Sequence, residues 1–165
     1  MVDKERITRL FDGYRDEIRA KSPKSLAIWQ KNRAVMPAGV GSVFRLADPF
    51  PQVVKRASGT RVWDADDNEY LDFMLGFSVM ILGNAPDEVQ VAIREALPGG
   101  THYGQCHEHE YAFAKLFCDM VPGVEKVTFC NTGTEAWDGA MNLSRRIGKE
   151  QGRTEYVCFE HSFHG

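Results

Sequence analysis

Apolar residues recur along the first thirty positions at helical spacing. Ile7, Leu10, Phe11, Tyr14 and Ile18 follow at three- and four-residue steps, one apolar stripe on an otherwise charged rod. Pro23 interrupts it, and Leu26, Ile28 and Trp29 form a second short patch. Met36-Pro37-Ala38-Gly39-Val40-Gly41 reads as loop, because its proline and glycines hold neither a helix nor a central strand. Positions 43–51 continue irregularly. Arg61-Val62-Trp63 and Tyr70-Leu71-Asp72-Phe73 are β-prone runs separated by the turn-rich Asp64-Ala65-Asp66-Asp67-Asn68. Two strands are marginal alone, so this hairpin must pack on something else. A helix opens near Pro86 with Asp87 and Glu88 at its positive end, shows Val89, Ala92, Ile93, Ala96 and Leu97 on one face, and stops at Pro98-Gly99-Gly100. Another spans about 108–121, ended by Pro122-Gly123. Lys126–Cys130 reads as a strand, about 134–148 as a helix with Ala136, Ala140, Leu143 and Ile147 aligned, and Tyr156–Phe159 as a second strand. Strand, helix and strand in this order predict a βαβ unit with parallel strands and a right-handed crossover, hence an α/β protein.

Ligands of parallel sheets bind beyond the carboxyl ends of the strands. Asn131-Thr132-Gly133-Thr134-Glu135-Ala136 and Glu160-His161-Ser162-Phe163-His164-Gly165 fall there. Thr132 and Glu135 have capping-box spacing, and Gly133 lets a ligand approach the backbone. Two readings stay open: a plain cap, or a helix start that binds phosphate.

Composition narrows the classes. The chain has 165 residues, 20 Lys+Arg against 23 Asp+Glu and a formal charge of −3, which gives no electrostatic reason to expect nucleic acid. No apolar run approaches the roughly 20 residues that cross a bilayer. Met1-Val2-Asp3-Lys4-Glu5-Arg6 carries charges of both signs from Asp3 to Arg6 and is unlike a secretory signal, so a soluble cytoplasmic protein is expected. Cys106, Cys118, Cys130 and Cys158 form no Cys-x-x-Cys pair and are expected to be buried or incidental thiols. His102, His107 and His109 cluster near Cys106, and His161 and His164 form a His-x-x-His pair. Consecutive side chains at a helix start should diverge, so no metal is expected. A P-loop is excluded, since no Gly-x4-Gly-Lys-Ser/Thr occurs.

The two site segments, with Met36-Pro37-Ala38-Gly39-Val40, Gly59-Thr60-Arg61-Val62-Trp63-Asp64-Ala65-Asp66-Asp67-Asn68-Glu69-Tyr70-Leu71-Asp72 and Met80-Ile81-Leu82-Gly83 upstream, resemble the class III aminotransferases, which depend on pyridoxal 5′-phosphate. Within that family they look like the branch holding glutamate-1-semialdehyde 2,1-aminomutase and related β-amino-acid transaminases. The resemblance runs from about Met36 to Gly165. It implies a fold-type-I, aspartate-aminotransferase-like α/β fold, N-terminal part only. Residues 1–75 would be an arm and small-domain hairpin, and residues 76–165 the beginning of the large cofactor domain.

By position, the resemblance implies that Thr132, Gly133 and Thr134 hold the cofactor phosphate, that Phe163 stacks on the pyridine ring and that His164 sits beside it. Arg45 falls where the branch places an arginine for the substrate carboxylate; a plain surface arginine is the other reading. Phe77 falls where the aminomutases carry an aromatic residue near substrate; core packing is the alternative. Three departures blur the substrate more than the cofactor. Thr132 stands for serine, Phe163 for tyrosine, and Asn84 and Pro86 for histidines. None of the eight lysines (Lys4, Lys21, Lys24, Lys31, Lys55, Lys115, Lys126, Lys149) matches the family's Schiff-base lysine motif. That lysine is expected beyond Gly165, so the chain reads as an N-terminal fragment, inactive alone.

The complete protein is expected to move an amino group between an amino acid or amine and a keto or aldehyde acceptor, as a homodimer. The alternatives are intramolecular transfer by an aminomutase, and a non-catalytic product if the chain ends at Gly165.

Overall fold

A computed structural model describes residues 3–162. The chain forms two compact units, Met1–Thr101 and His102–Gly165.

The first unit opens with α1 (Lys4–Lys21), capped by Asp3, whose carboxylate accepts from the Arg6 amide at 3.1 Å. Ser22 separates it from α2 (Pro23–Asn32), which starts with the proline favoured at a first helical position. The Ser22 side chain does not cap α2. The cap comes from Asp66, 42 residues later: its Oδ1 accepts from the Lys24 amide at 2.8 Å and its Oδ2 from the Ser25 amide at 2.9 Å. Arg15 on α1 reaches Asp48 at 2.7 Å and Asp12 at 2.8 Å, and the Asp48 carboxyl lies below its usual range through this bond.

The expected hairpin is part of a three-stranded antiparallel sheet, β1 (Val54–Ser58), β2 (Arg61–Asp64) and β3 (Glu69–Leu71), in that order. Ala57 faces Val62 across β1–β2, and Val62 faces Tyr70 across β2–β3. The hairpin therefore packs first on β1, an edge strand that hydropathy hides behind Lys55 and Arg56. Its charges work across strands: Arg56 lies 3.5 Å from the centre of the Trp63 ring opposite it, and Lys55 pairs with Asp67 at 3.0 Å.

Asp64 ends β2 fully buried and ties the unit together. Its Oδ1 accepts from the amides of Asp66 (2.9 Å) and Asn68 (2.8 Å). Its Oδ2 accepts from Ser22 Oγ (2.9 Å), Asn68 Nδ2 (2.9 Å) and the Tyr70 hydroxyl (3.3 Å). Phe50, 4% exposed, stacks on Trp29 with ring centres 6.2 Å apart. Trp29 Nε1 donates to Ala38 O at 3.0 Å inside the proline-glycine loop. Gly39 there has φ +76°, and a Cβ on it would sit 2.7 Å from Trp29 Nε1. Gly39→Ala is therefore expected to cost about 1–3 kcal/mol, measured by urea unfolding of the complete protein.

α3 (Asp87–Ala96) follows Pro86 and runs into a 3-10 turn at Leu97–Gly99, where the proline and glycines were expected to stop it.

The second unit contains α4 (His109–Met120) and α5 (Gly133–Glu150). The two expected strands are corrected: among the described residues, 126–130 and 156–159 lie in no ladder, so the parallel pair and its crossover are not formed. Each of these segments borders a helix. Phe129 stacks on Phe113 of α4 with centres 4.5 Å apart. The 156–162 segment borders an apolar groove with Trp137 and Met141 of α5, while Val157 and Phe159 remain exposed. An extended segment becomes a strand only when a neighbour supplies its hydrogen bonds. The four cysteines are free thiols, Cys106, Cys130 and Cys158 exposed and Cys118 half-buried, which leaves the incidental of the two expected readings for the exposed three.

Candidate functional site

The start of α5 forms the expected capping box. Thr132 Oγ1 accepts from the Glu135 amide at 3.1 Å, and Glu135 Oε2 accepts from the amides of Thr132 (3.3 Å) and Asn131 (2.7 Å). The Ala136 amide is bound by Thr132 O at 3.1 Å. This leaves the amides of Gly133 and Thr134 without a partner among the described residues. A Cβ placed on Gly133 would meet nothing within 4 Å, so the approach to these two donors is open. The donor set fits a phosphate: two free N–H groups, two threonine hydroxyls and the positive end of an 18-residue helix. The Glu135 carboxylate turns back toward Asn131 and Thr132, leaving the Gly133 and Thr134 amides unused. The cap and an anion site are thus compatible.

Phe77 touches Phe44, the residue that precedes Arg45. Arg45 ends the 3-10 turn Val43–Arg45 and is exposed. Its neighbour Phe44 meets Phe77 edge to face, ring centres 6.3 Å apart at 75°. Phe77 is 56% exposed among the described residues. It belongs to Leu75–Ser78, where all four residues have positive φ: Leu75 at 44°, Gly76 at 61°, Phe77 at 63° and Ser78 at 68°. L-residues with side chains adopt this region at a cost of roughly 1–2 kcal/mol each, so something must hold the turn. Asp72 does: its Oδ1 accepts from the amides of Met74 and Leu75, both at 2.9 Å. Its Oδ2 accepts from Asn84 Nδ2 at 2.8 Å. The Asn84 amide, then the Leu75 and Met74 amides, hold the Asp72 carboxyl below its usual range. Asn84 also exchanges backbone hydrogen bonds with Gly59 at 2.7 and 2.8 Å. The asparagine that departs from the family's histidine thus anchors the turn that presents Phe77. The part Asp72 plays in holding this turn was not read from the sequence, where no local pattern marks it.

Phe163 and His164 lie outside the described residues. The expected divergence of the histidine run is corrected: the ligand atoms of His107, Glu108 and His109 lie within 4.8 Å of one another. The turn before α4 folds them together. The His109 amide donates to His107 Nδ1 at 3.3 Å, and the His107 ring stacks on Tyr103 with centres 5.0 Å apart.

The family model described as Aminotransferase class-III matches residues 43–165. Among curated relatives, the glutamate-1-semialdehyde 2,1-aminomutase of Methanopyrus kandleri is 40% identical over 153 residues, covering 93% of this chain and 34% of that protein. The aminomutase of Aquifex aeolicus is 40% identical over 145 residues, covering 86% and 34%. The chain thus spans about a third of the length of these relatives. Among solved structures, a β-phenylalanine aminotransferase from Variovorax paradoxus aligns with TM-score 0.89 and 27% identity over 96% of this chain and 36% of that one. A glutamate-1-semialdehyde aminomutase from Pseudomonas aeruginosa aligns with TM-score 0.88 and 25% identity over 99% and 36%. The fold is the N-terminal part of the fold-type-I pyridoxal-phosphate transferase fold. The chain belongs to the class III aminotransferase family.

Proposed function

We propose that the complete protein transfers an amino group between an amino acid or amine and a keto or aldehyde acceptor, with pyridoxal 5′-phosphate as cofactor. The observation that carries this reading is the start of α5, where an open glycine and two unused amides offer a phosphate site at the place the family motif occupies. Thr132, Gly133 and Thr134 bind the phosphate and so fix the cofactor's position. By the resemblance, Phe163 would cover the face of its ring, an apolar contact suited to an aromatic group, and His164 would lie beside it. When bound, the cofactor supplies an electron sink that makes the bonds at the substrate's amino-bearing carbon labile. Arg45 binds the substrate carboxylate in a bidentate grip, orienting that carbon. Residues 1–75 serve as arm and small-domain hairpin, and 76–165 begin the large domain. The Schiff-base lysine is placed beyond Gly165.

Intramolecular transfer is the second reading, favoured by the 40% identity to the Methanopyrus kandleri aminomutase. We also place the protein in the cytoplasm as a homodimer. The exposed Leu10, Phe11 and Tyr14 on α1 support the dimer.

The test mixes the complete protein, loaded with pyridoxal 5′-phosphate, with single amino donors and follows conversion of the cofactor to its amine form. Conversion with release of a keto product is expected, and residues 1–165 expressed alone are expected to give none. Isomerisation of glutamate 1-semialdehyde without an external acceptor would select the aminomutase. Absence of both activities would overturn the proposal.

A further inference from the structure

We propose that His107, Glu108 and His109 form a binding site for a divalent transition-metal ion of the zinc class, at the turn that leads into α4.

Three observations carry it. The candidate ligand atoms of the three side chains lie within 4.8 Å of one another. Two donors on one zinc ion sit about 3–3.5 Å apart, given bonds of about 2.0–2.1 Å, so closing the site takes side-chain movements on the order of 1 Å. Glu108 and His109 are exposed and have room for such movements, whereas His107 is half-buried and already fixed. That fixation is the second observation. The His107 amide donates to Glu110 Oε1 at 2.9 Å, and the Glu110 amide donates to the His107 carbonyl at 3.1 Å. The His107 ring stacks on Tyr103 at 5.0 Å and meets the His109 ring edge to face at 4.7 Å. One imidazole is thus held before an ion arrives, which lowers the ordering cost of binding. The third observation is the donor chemistry. Two imidazole nitrogens and one carboxylate oxygen suit zinc and leave a fourth position for water. Calcium and magnesium, which favour about six or more oxygen donors, fit this set poorly.

Two costs oppose binding, and both are small. His107 Nδ1 accepts from the His109 amide at 3.3 Å. An ion at Nδ1 replaces this bond, and an ion at Nε2 moves the ring proton to Nδ1 and breaks it. Either way, one long hydrogen bond at an exposed residue is lost. The ion also lies near the positive end of α4, where the carboxylates of Glu108 and Glu110 offset the added charge.

The test titrates zinc chloride into the complete, cofactor-loaded protein by calorimetry, after a chelator has removed bound metal. Wild-type protein is expected to bind zinc saturably, and His107→Gln and His109→Gln should each weaken that binding by about tenfold or more. Glu108→Gln should weaken it by a smaller factor. His102→Gln, outside the cluster, should leave it within about twofold. A second measurement needs no substitution: in wild-type protein, zinc should protect His107 and His109, but not His102, from diethylpyrocarbonate. No saturable binding, no such protection, an affinity unchanged in any of the three ligand variants, or an equal loss in His102→Gln would overturn the site.

Discussion

Asp64→Ala is expected to lower the unfolding free energy of the complete protein by about 3 kcal/mol or more, the range for removing one partner of a buried charged network. The carboxylate is fully buried and accepts five hydrogen bonds, from two backbone amides and from Ser22, Asn68 and Tyr70. Truncation leaves these donors without their shared acceptor and removes one tie between the α1–α2 junction and the sheet, while Asp66 still holds the start of α2. Tyr70→Phe removes only the longest of the five bonds, at 3.3 Å, and should cost less than about 1 kcal/mol. The same carboxylate sets a pH dependence. Burial pushes the Asp64 carboxyl up, but the bonds from Asn68, Ser22 and Asp66 outweigh it and hold the group below its usual range. A carboxyl depressed by folding contributes stability that is present above its unfolded value of about 3.9 and is lost as pH falls through the lower folded value. Urea midpoints taken between about pH 6 and pH 2 should fall on the acid side in wild-type protein. In Asp64→Asn they should begin lower and fall less steeply. An Asp64→Ala midpoint equal to wild type would show that the network is dispensable.

Thr132→Val is expected to weaken binding of pyridoxal 5′-phosphate by about tenfold to a hundredfold. Two losses combine. The hydroxyl that caps the Glu135 amide at 3.1 Å disappears, at about 1 kcal/mol of helix stability. A donor to the phosphate disappears as well, and hydrogen bonds to an anion are about twice as strong as neutral ones. Thr132→Ser retains the hydroxyl and should bind the cofactor nearly as wild type does. Far-ultraviolet circular dichroism separates the losses, since a pure capping defect would shorten α5 without a preference for the phosphorylated ligand.

Where one element carries its own pattern, the sequence was legible. The stripe from Ile7 to Ile18, the break at Pro23 and the Thr132–Glu135 box each involve residues within one or two turns, and all three are found as read. β1 was not legible because Lys55 and Arg56 break its apolar alternation, and their stabilising partners, Asp67 and Trp63, lie in the later turn and in β2. The segments at 126–130 and 156–159 are apolar enough for strands, but strand formation depends on a neighbour that no local pattern can specify. Phe77 was placed by resemblance alone. Its environment depends on Asp72 and Asn84, which lie five and seven positions away and act through a left-handed turn invisible to hydropathy. The same holds for the histidine run at 107–109, whose side chains converge because the chain turns at 107–108 just before α4 opens at His109.

The central claim, that the start of α5 holds a cofactor by its phosphate, is tested most directly by comparing the affinities of pyridoxal 5′-phosphate and pyridoxal for the complete protein and its Thr132→Val variant. The account predicts that wild-type protein strongly prefers the phosphorylated form and that the variant loses affinity for that form while its weak binding of pyridoxal is unchanged. Equal affinity of the two compounds for wild-type protein, or an equal loss of both in the variant, would contradict it.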